Sequence, residues 1–566
     1  MKLLTHHANR QRNRGFTLPA VLIISMALMI VGLSFIQNSS SIYDSLNDQY
    51  YNRLAQEAAE AGVAYVNFCL SANYFVQTWG PANSRPNLTQ STDCNGNDIT
   101  SAPDYVMENG SLRTSFSVGD LDTRSDGAII FSVNGQVQNV TSGGTITRSY
   151  GNVRNEVVKW KEFNPTVSSS GTSKTCAVIT GELYCWGKNS NSSENFSGNL
   201  GNGTTTDSLV PVKVQQDAGV LAGKTVSKVT SAQFHSCALA DGTVYCWGRN
   251  FTGQLGDETT TDRTVPVKVG GALESLTVTD ISTTGNVSCA IANSKIYCWG
   301  SNVYGTVGNN STVNVSTPTL VNTSQLGSSY VATKLSTSGS RSFNMCAIAD
   351  GKAWCWGNNE AGQVGNDDSG TTRVRVPTKV DDTGVLAGKT VTSISQDGYY
   401  NGNTSYTHVC AVASGQAYCW GDNVYGQLGR GPSNTTASDT PVAVYTSGVL
   451  NGKTISDIVV GLQHSCALTD DGKVYCWGAN GAGQIGDGLT GTRYVPTAVS
   501  TSGGLNGKTV VTIGGGANRG CAITNSFQSF CWGLNTDGQL GDGTQTNRNV
   551  PTEAIFLRPK APTYIF

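Results

Sequence analysis

Charge is the first thing this 566-residue chain lacks: Asp, Glu, Lys and Arg make up 13% of it, with a formal net charge of −2, against about 25% in an ordinary soluble domain. Nothing in it forms a basic stripe, which excludes a phosphate-reading nucleic-acid surface. Histidine is scarce too, five in all, and no His-Glu-x-x-His pair exists to hold a catalytic metal. No glycine-rich loop carries the Lys-Ser/Thr of a phosphate-binding P-loop. No serine stands in a Gly-x-Ser-x-Gly elbow between strand and helix. Asp487-Gly488 and Asp542-Gly543 lack the spacing of an EF-hand calcium loop. With no catalytic constellation, the chain reads as a non-enzyme without metal or cofactor. Gly, Ser, Thr and Asn fill its loops and give it a neutral polar exterior.

What is there is a sentence written seven times: CAVITGELYCWG, CALADGTVYCWG, CAIANSKIYCWG, CAIADGKAWCWG, CAVASGQAYCWG, CALTDDGKVYCWG and CAITNSFQSFCWG. The tryptophans fall at Trp186, Trp247, Trp299, Trp356, Trp420, Trp477 and Trp532, a step of 52 to 64 residues. A β-rich period of that length means blades in a ring or a solenoid.

Each copy specifies a hairpin. In CALADGTVYC the Asp241-Gly242 pair is a two-residue turn signal between apolar arms. That turn pairs Ala240 with Thr243, Leu239 with Val244, Ala238 with Tyr245 and Cys237 with Cys246. The cysteines fall on a non-hydrogen-bonded pair, where the strands approach closest, so their sulfurs are within disulfide reach. The same offset of nine joins Cys176 to Cys185, Cys289 to Cys298, Cys346 to Cys355 and Cys410 to Cys419. Cys466–Cys476 and Cys521–Cys531 have an offset of ten, which fits a three-residue loop, with Gly472 available for the left-handed position in the first. Zinc sites space their cysteine pairs two to four residues apart, and these pairs do not. Each bridge closes about ten residues, worth roughly 2–3 kcal/mol on the chain-entropy model, and implies an oxidising compartment.

After each Trp-Gly follows a second signature, GNLGN, GQLGD, GTVGN, GQVGN, GQLGR, GQIGD or GQLGD, and then a Val-Pro or Thr-Pro strand. The combined pattern resembles the regulator of chromosome condensation repeat family, and the resemblance implies a seven-bladed β-propeller over residues 164–556. The paired cysteines depart from the family toward an extracytoplasmic variant. The glycines suit tight turns and close backbone approach near the propeller axis. The tryptophans are expected to pack between blades, with carbohydrate stacking as the lesser alternative. His235, His408 and His464 are expected to be satisfied strand residues. Because the Cys176 hairpin opens without a full preceding unit, the strand after Pro551 is expected to complete the first blade and lock the ring.

The amino terminus carries a different signature. Lys2, Arg10, Arg12 and Arg14 precede Gly15-Phe16, and Phe16–Ile36 is a mostly apolar run without charge, long enough to cross a bilayer. It is too long for a secretory signal and lacks a small-residue cleavage site at its end. Tyr43, Leu46, Tyr50, Leu54, Ala58, Ala61, Tyr65 and Phe68 continue it as one face of an amphipathic helix. RNRGFTLPAVLIISMALMIVGLSF and QEAAEAGVAYV resemble a type IV prepilin amino terminus. The resemblance implies cleavage between Gly15 and Phe16 by a prepilin peptidase, N-methylation of Phe16, and retention of the helix. A single-pass precursor in the inner membrane would then join other pilin subunits in an extracellular pilus. Pilins usually carry glutamate at the fifth mature position; here that position is Ala20. K-type minor pseudopilins and some minor pilins share this absence, which points to a tip subunit.

Between helix and propeller, Leu112–Val118, Ala128–Val140 and Thr145–Trp160 are β-rich, separated by Asp-Gly and Gly-Gly turns. They are expected to form a small pilin-type α+β head. Cys69 and Cys94, left over after seven pairs, are expected to bridge the helix end to the following loop. The chain therefore divides into a leader (1–15), a helix (16–75), a small β region (76–163), the propeller (164–556) and a tail (557–566). Three functions fit. The first is a minor pilin displaying a propeller that binds a surface protein or glycan. The second is a structural minor pilin or type II secretion pseudopilin that primes filament assembly. The third is an exported propeller that inhibits an extracellular enzyme.

Overall fold

The computed structural model describes residues 48–60 and 63, the strands between 105 and 158, and 165–556 except 169–172, 192–195, 338–341, 369–370 and 400–404. The Gly15-Phe16 junction, the apolar run after it, Ala20, Cys69, Cys94 and the tail from 557 lie outside the described residues. So do the structural counterparts of the leader and membrane-helix readings. The chain separates into two compact units, Met1–Trp160 and Lys161–Phe566.

In the first unit, residues 48–60 are helical and accompany a five-stranded antiparallel sheet. The strands are Tyr105–Asn109, Leu112–Val118, Asp122–Thr123, Ile129–Val140 and Ile146–Val158. Leu112–Val118 and the two long strands answer to the three β-rich stretches of the sequence, whereas Tyr105–Asn109 carries no comparable signal. The helix buries Ala55, Ala58 and Ala59, and the sheet buries Val133 and Val137. Tyr51 stacks on Tyr150 at 5.0 Å, the Tyr150 hydroxyl donates to Asp48 at 2.7 Å, and Arg154 pairs with Glu60 at 3.2 Å. Ala58 of the expected face is buried, but at Tyr50 the face is shifted by one residue: Tyr50 is 57% exposed, and its neighbour Tyr51 makes the contact.

In the second unit, the described residues form seven four-stranded antiparallel sheets. Blade one consists of Thr166–Ser168, Lys174–Ile179, Glu182–Gly187 and Ser208–Lys213, and blade two of Val226–Ser231, His235–Ala240, Thr243–Gly248 and Arg263–Lys268. Blades three to seven repeat the order over 278–320, 332–379, 391–443, 455–498 and 510–553. The first strand of each blade packs against the first strand of the next, and that of blade seven against that of blade one, which closes the ring.

The second and third strands are the Cys-Ala to Cys-Trp-Gly hairpins. In blade two Ala240 pairs with Thr243, Leu239 with Val244, Ala238 with Tyr245 and Cys237 with Cys246. Asp241 and Gly242 both have positive φ, 47° and 74°, the signature of a type I′ turn. Gly472 (φ 71°) and Phe527 (φ 57°) take the left-handed place in the two longer loops. The fourth strand holds the Val-Pro pair, with a register break against the third strand, as expected of proline confined to an edge or bulge.

The expected lock by the carboxy-terminal strand is corrected by the structure. Arg548–Glu553 pairs with Ser529–Gly533 of its own blade. The inner strand of blade one is Thr166–Ser168, in register with Val178–Cys176. Three residues suffice there because the ring is joined by contacts between blades, not by a strand shared across the seam.

Candidate functional site

The seams are built from the sequence repeats. Each Trp of Cys-Trp-Gly is buried to within 1%. Its indole N–H generally donates to a backbone carbonyl in the loop of the preceding blade: Trp420 to Gln363 at 3.0 Å, Trp477 to Gln427 at 2.9 Å, Trp356 to Thr306 at 2.8 Å. Trp186 donates to Gln539 at 2.9 Å, so the seam from blade seven to blade one has the same form as the others. Of these seven, Trp299 has no partner for its N–H among the described residues. The second glycine of each GQLG-type motif lies over the indole of the next blade. A Cβ on Gly365 would stand 2.6 Å from Trp420 Nε1, and one on Gly541 2.7 Å from Trp186 Nε1. The close approach foreseen for these glycines is therefore to the neighbouring tryptophan and not to the axis.

Sequence reasoning gave no role to the asparagine two residues past each Trp-Gly. Asn189, Asn250, Asn302, Asn359, Asn423, Asn480 and Asn535 are at most 1% exposed. In each loop the amide oxygen accepts from the backbone N–H of the aliphatic residue of the motif, as Leu255 to Asn250 at 2.9 Å and Ile485 to Asn480 at 3.0 Å. The amide nitrogen of Asn480 donates onward to Asp487 and to the carbonyls of Leu489 and Gly491. The signal was available: the same residue recurs at one offset in all seven copies. Asn480→Ala is expected to cost about 2–3 kcal/mol, because buried donors and acceptors lose their partner; the denaturant midpoint of the variant measures it.

These loops also explain the Asp-Gly pairs. Arg493 holds Asp487 at 2.6 Å and Arg548 holds Asp542 at 2.8 Å. Burial raises the Asp542 carboxyl, but bonds from Thr544 and Arg548 outweigh it and hold it below the usual carboxylate range. Among the described residues no group of three or more His, Cys, Asp or Glu is placed to hold a metal.

Every repeat cysteine is disulfide-bonded to its hairpin partner, with Cα atoms 4.0–4.1 Å apart. The sulfurs are buried against the next blade. One place in each second strand, opposite the glycine of Trp-Gly, defines a buried ring: Lys174, His235, Val287, Asn344, His408, His464 and Arg519. Several of these side chains cross a seam. His235 Nε2 lies 2.9 Å from Ser288 Oγ, and His408 Nε2 lies 2.9 Å from Ser465 Oγ. Lys174 donates to the His235 carbonyl at 3.3 Å. Arg519 donates to Thr175 at 3.1 Å and to the Lys174 carbonyl. The His–Ser distances suit a nucleophile and its base, but both serines are at most 1% exposed and are buried from substrate in the closed seams.

A central channel of about 540 Å³ is lined by the first strands of all seven blades. One register place, opposite Leu239, Ile291, Ile348, Val412 and Leu468, carries Lys228, Asp280, Lys334, Ser393 and Asp457. Lys228 bonds Asp280, whose second oxygen accepts from Leu335 N at 2.7 Å. Lys334 donates to Ser393 at 3.0 Å and reaches Asp457 at 3.3 Å. Blades one and seven place Thr166 and Thr512 there. Two lysines and two aspartates cancel, so the rim attracts neither sign of ion, and Val229, Ile281, Val459 and Ile513 alternate with hydroxyls on the wall. The channel thus suits an uncharged polar ligand. Among the loops between third and fourth strands, Phe251, Val303, Val424 and Tyr425 are exposed, with the Arg249 guanidinium 4.3 Å over the Phe251 ring.

The Regulator of chromosome condensation (RCC1) repeat family matches residues 180–239, 241–291, 293–333, 350–395, 414–468, 471–523 and 528–565. The ultraviolet-B receptor UVR8 of Arabidopsis thaliana is 28% identical over 390 residues, 68% of this chain and 80% of the receptor. The mitochondrial RCC1 domain-containing protein RUG3 of the same plant is 27% identical over 406 residues, 67% of this chain and 83% of that protein. The chain spans only 6% of the human E3 ubiquitin-protein ligase HERC2, at 28% identity over 60% of its own length. Among solved structures, yeast RCC1 (Prp20) bound to Kap60 superposes with a TM-score of 0.55 at 20% identity, over 70% of this chain and 86% of that one. Human WBSCR16 gives 0.51 at 21%, over 62% and 85%. Seven matched repeats over well above half of its length, folded as seven blades, establish that the chain belongs to the regulator of chromosome condensation repeat family.

Proposed function

We propose that this protein is a minor type IV pilin-like subunit that displays its disulfide-bonded propeller outside the cell to bind a protein or glycan. The observation that carries the reading is the sequence junction at Gly15-Phe16, a basic leader ahead of an uncharged apolar run. The helix at 48–60, with its buried alanines beside a small antiparallel sheet, is compatible with a pilin-type head. Seven buried bridges support assembly in an oxidising compartment. The yeast RCC1 structure is of that protein bound to Kap60, which supports a protein partner for a propeller of this fold. The channel, with its cancelled charges, supports a neutral ligand such as a glycan equally well. Pilin subunits, the prepilin peptidase and the inner membrane are the partners of the amino-terminal part. Ala20 favours a tip position and keeps the structural reading, a subunit that primes a pilus or pseudopilus, as the second choice.

Processing tests the proposal directly. The mature chain should begin at N-methylated Phe16 by mass spectrometry, and substitution of Gly15 should leave the leader attached. A mature start near Ser39 would mean an ordinary signal peptide and overturn the pilin reading. Deleting 164–556 should abolish ligand binding and leave filaments in place; loss of filaments would favour the structural role.

A further inference from the structure

Two of the seven seams share a geometry that the others lack. Ser288 Oγ lies 2.8 Å from the Gln254 carbonyl, which only accepts, so the hydroxyl proton points there. The same oxygen must then accept from His235 Nε2 at 2.9 Å. The network therefore fixes the Nε2–H tautomer and leaves Nδ1 as a bare lone pair, buried and without a partner. Blade five repeats this: Ser465 Oγ donates to the Gln427 carbonyl at 2.9 Å and accepts from His408 Nε2 at 2.9 Å, and His408 Nδ1 has no partner. Each serine oxygen also sits on the adjacent bridge, 3.7 Å from Cys237 Sγ and 3.5 Å from Cys410 Sγ.

We propose that these two seams are proton-operated latches over their disulfides: a proton on Nδ1 of His235 or His408 opens the seam and uncovers Cys237–Cys246 or Cys410–Cys419. While the seam is closed, a protonated ring would be a cation buried from water, and the single backbone bond at Val287 for His235 or at His464 for His408 does not offset that cost. Charged and titratable groups surround each ring. His235 faces the Lys174 amine of blade one, which donates to its carbonyl; a second cation is repelled. His408 pairs across its own sheet with Asp397, whose Oδ1 accepts from Gly398 N at 2.7 Å, and faces His464 of blade six. His464 in turn faces Arg519 of blade seven, and Asp397 also acts on Arg519. Both rings are pushed down to the same degree, so the two latches respond over the same pH range.

The direction of the effect follows from linkage. Burial, with Lys174 adding to it for His235 and His464 for His408, pushes both imidazoles down to about 3, whereas an opened seam returns them to roughly 6.5. The open form therefore binds more protons between those limits, and opening grows about tenfold per pH unit per histidine as pH falls below about 6.5. Blades three and four carry Val287 and Asn344 at the same place, with no titratable ring. Cys289–Cys298 and Cys346–Cys355 are the internal controls.

The test exposes the full chain briefly to a water-soluble phosphine, which reduces disulfides in acid, at pH 7.5 and pH 5.0, followed by alkylation and peptide mapping. Relative to Cys289–Cys298, reduction of Cys237–Cys246 and of Cys410–Cys419 is expected to rise on the order of 30-fold between the two pH values. His235→Asn, the side chain blade four already uses there, should remove the acceleration in blade two and leave it in blade five. Equal acceleration of all seven bridges, or an unchanged response in His235→Asn, would sink the proposal. Should that variant fail to fold, His408→Asn reads the second latch, and the contrast with Cys289–Cys298 and Cys346–Cys355 in the unaltered protein is decisive by itself.

Discussion

Gly365→Ala is expected to destabilise the propeller by about 2–5 kcal/mol and to lower its denaturant midpoint accordingly. Two effects add. Gly365 has φ +77°, a left-handed conformation that costs a side-chain-bearing residue about 1–2 kcal/mol. The new Cβ would also stand 2.6 Å from Trp420 Nε1 and 2.8 Å from its Cδ1, where a fully buried indole bonded to the Gln363 carbonyl has no space to move. Overpacking of this kind costs about 1–3 kcal/mol. Gly388 separates the terms: its φ is +70° but nothing lies within 4 Å of a Cβ there. Gly388→Ala should show the backbone cost alone. Trp420→Ala should cost about 3–5 kcal/mol, and adding Gly365→Ala to it should cost much less than in the intact seam, because the colliding ring is gone. Strict additivity of the two would refute the contact.

Stability should rise with pH between about 7.5 and 9.5, and Lys174→Met should flatten that rise. Lys174 is 1% exposed, donating to Asn199 Oδ1 at 3.1 Å and the His235 carbonyl with no carboxylate in contact. Burial pushes its amine down to about 7, while in the unfolded chain it titrates near 10.4. A depressed folded value means that the unfolded state binds more protons between these limits. The stabilising contribution is thus present above about 10.4 and is lost as pH falls toward 7. One group gives about 1.4 kcal/mol per pH unit, so roughly 2–3 kcal/mol should separate pH 7.5 from 9.5 in chemical denaturation of the full chain. Methionine fills similar volume without a charge. Its gain is reduced by the two carbonyl acceptors left unpaired, so the pH slope is the more decisive reading. A slope unchanged in Lys174→Met would show that the amine does not titrate in this window.

The hairpins were legible because their information is local. A two-residue turn with Asp-Gly or Ser-Gly fixes which residues face each other, and the cysteine offset then follows by counting outward. The same locality explains the misses. Nothing near Thr166–Ser168 marks it as a strand, because three residues carry no periodicity of their own; its partner Lys174–Ile179 and the neighbouring blades hold it. Tyr50 and Tyr51 differ by one step around a helix, and which of them meets Tyr150 depends on the sheet beside it. The asparagines past Trp-Gly were visible as a recurrence, but their role needed the loop closed around them.

By itself the sequence determined the number of blades, the hairpin register, the seven bridges and the family, since each depends on spacing within a few tens of residues repeated seven times. It also holds the whole case for a prepilin-like amino terminus. Only the tertiary structure decided what occupies the seams. Lys174, His235, Val287, Asn344, His408, His464 and Arg519 are unalike in sequence and become one buried ring when seven sheets are set around an axis. Likewise Lys334 and Asp457, two blades apart, meet at 3.3 Å because the channel brings them together. The strength of a charge, a lone pair or a glycine there depends on what the next blade puts against it, and that neighbour is some fifty residues away in the chain.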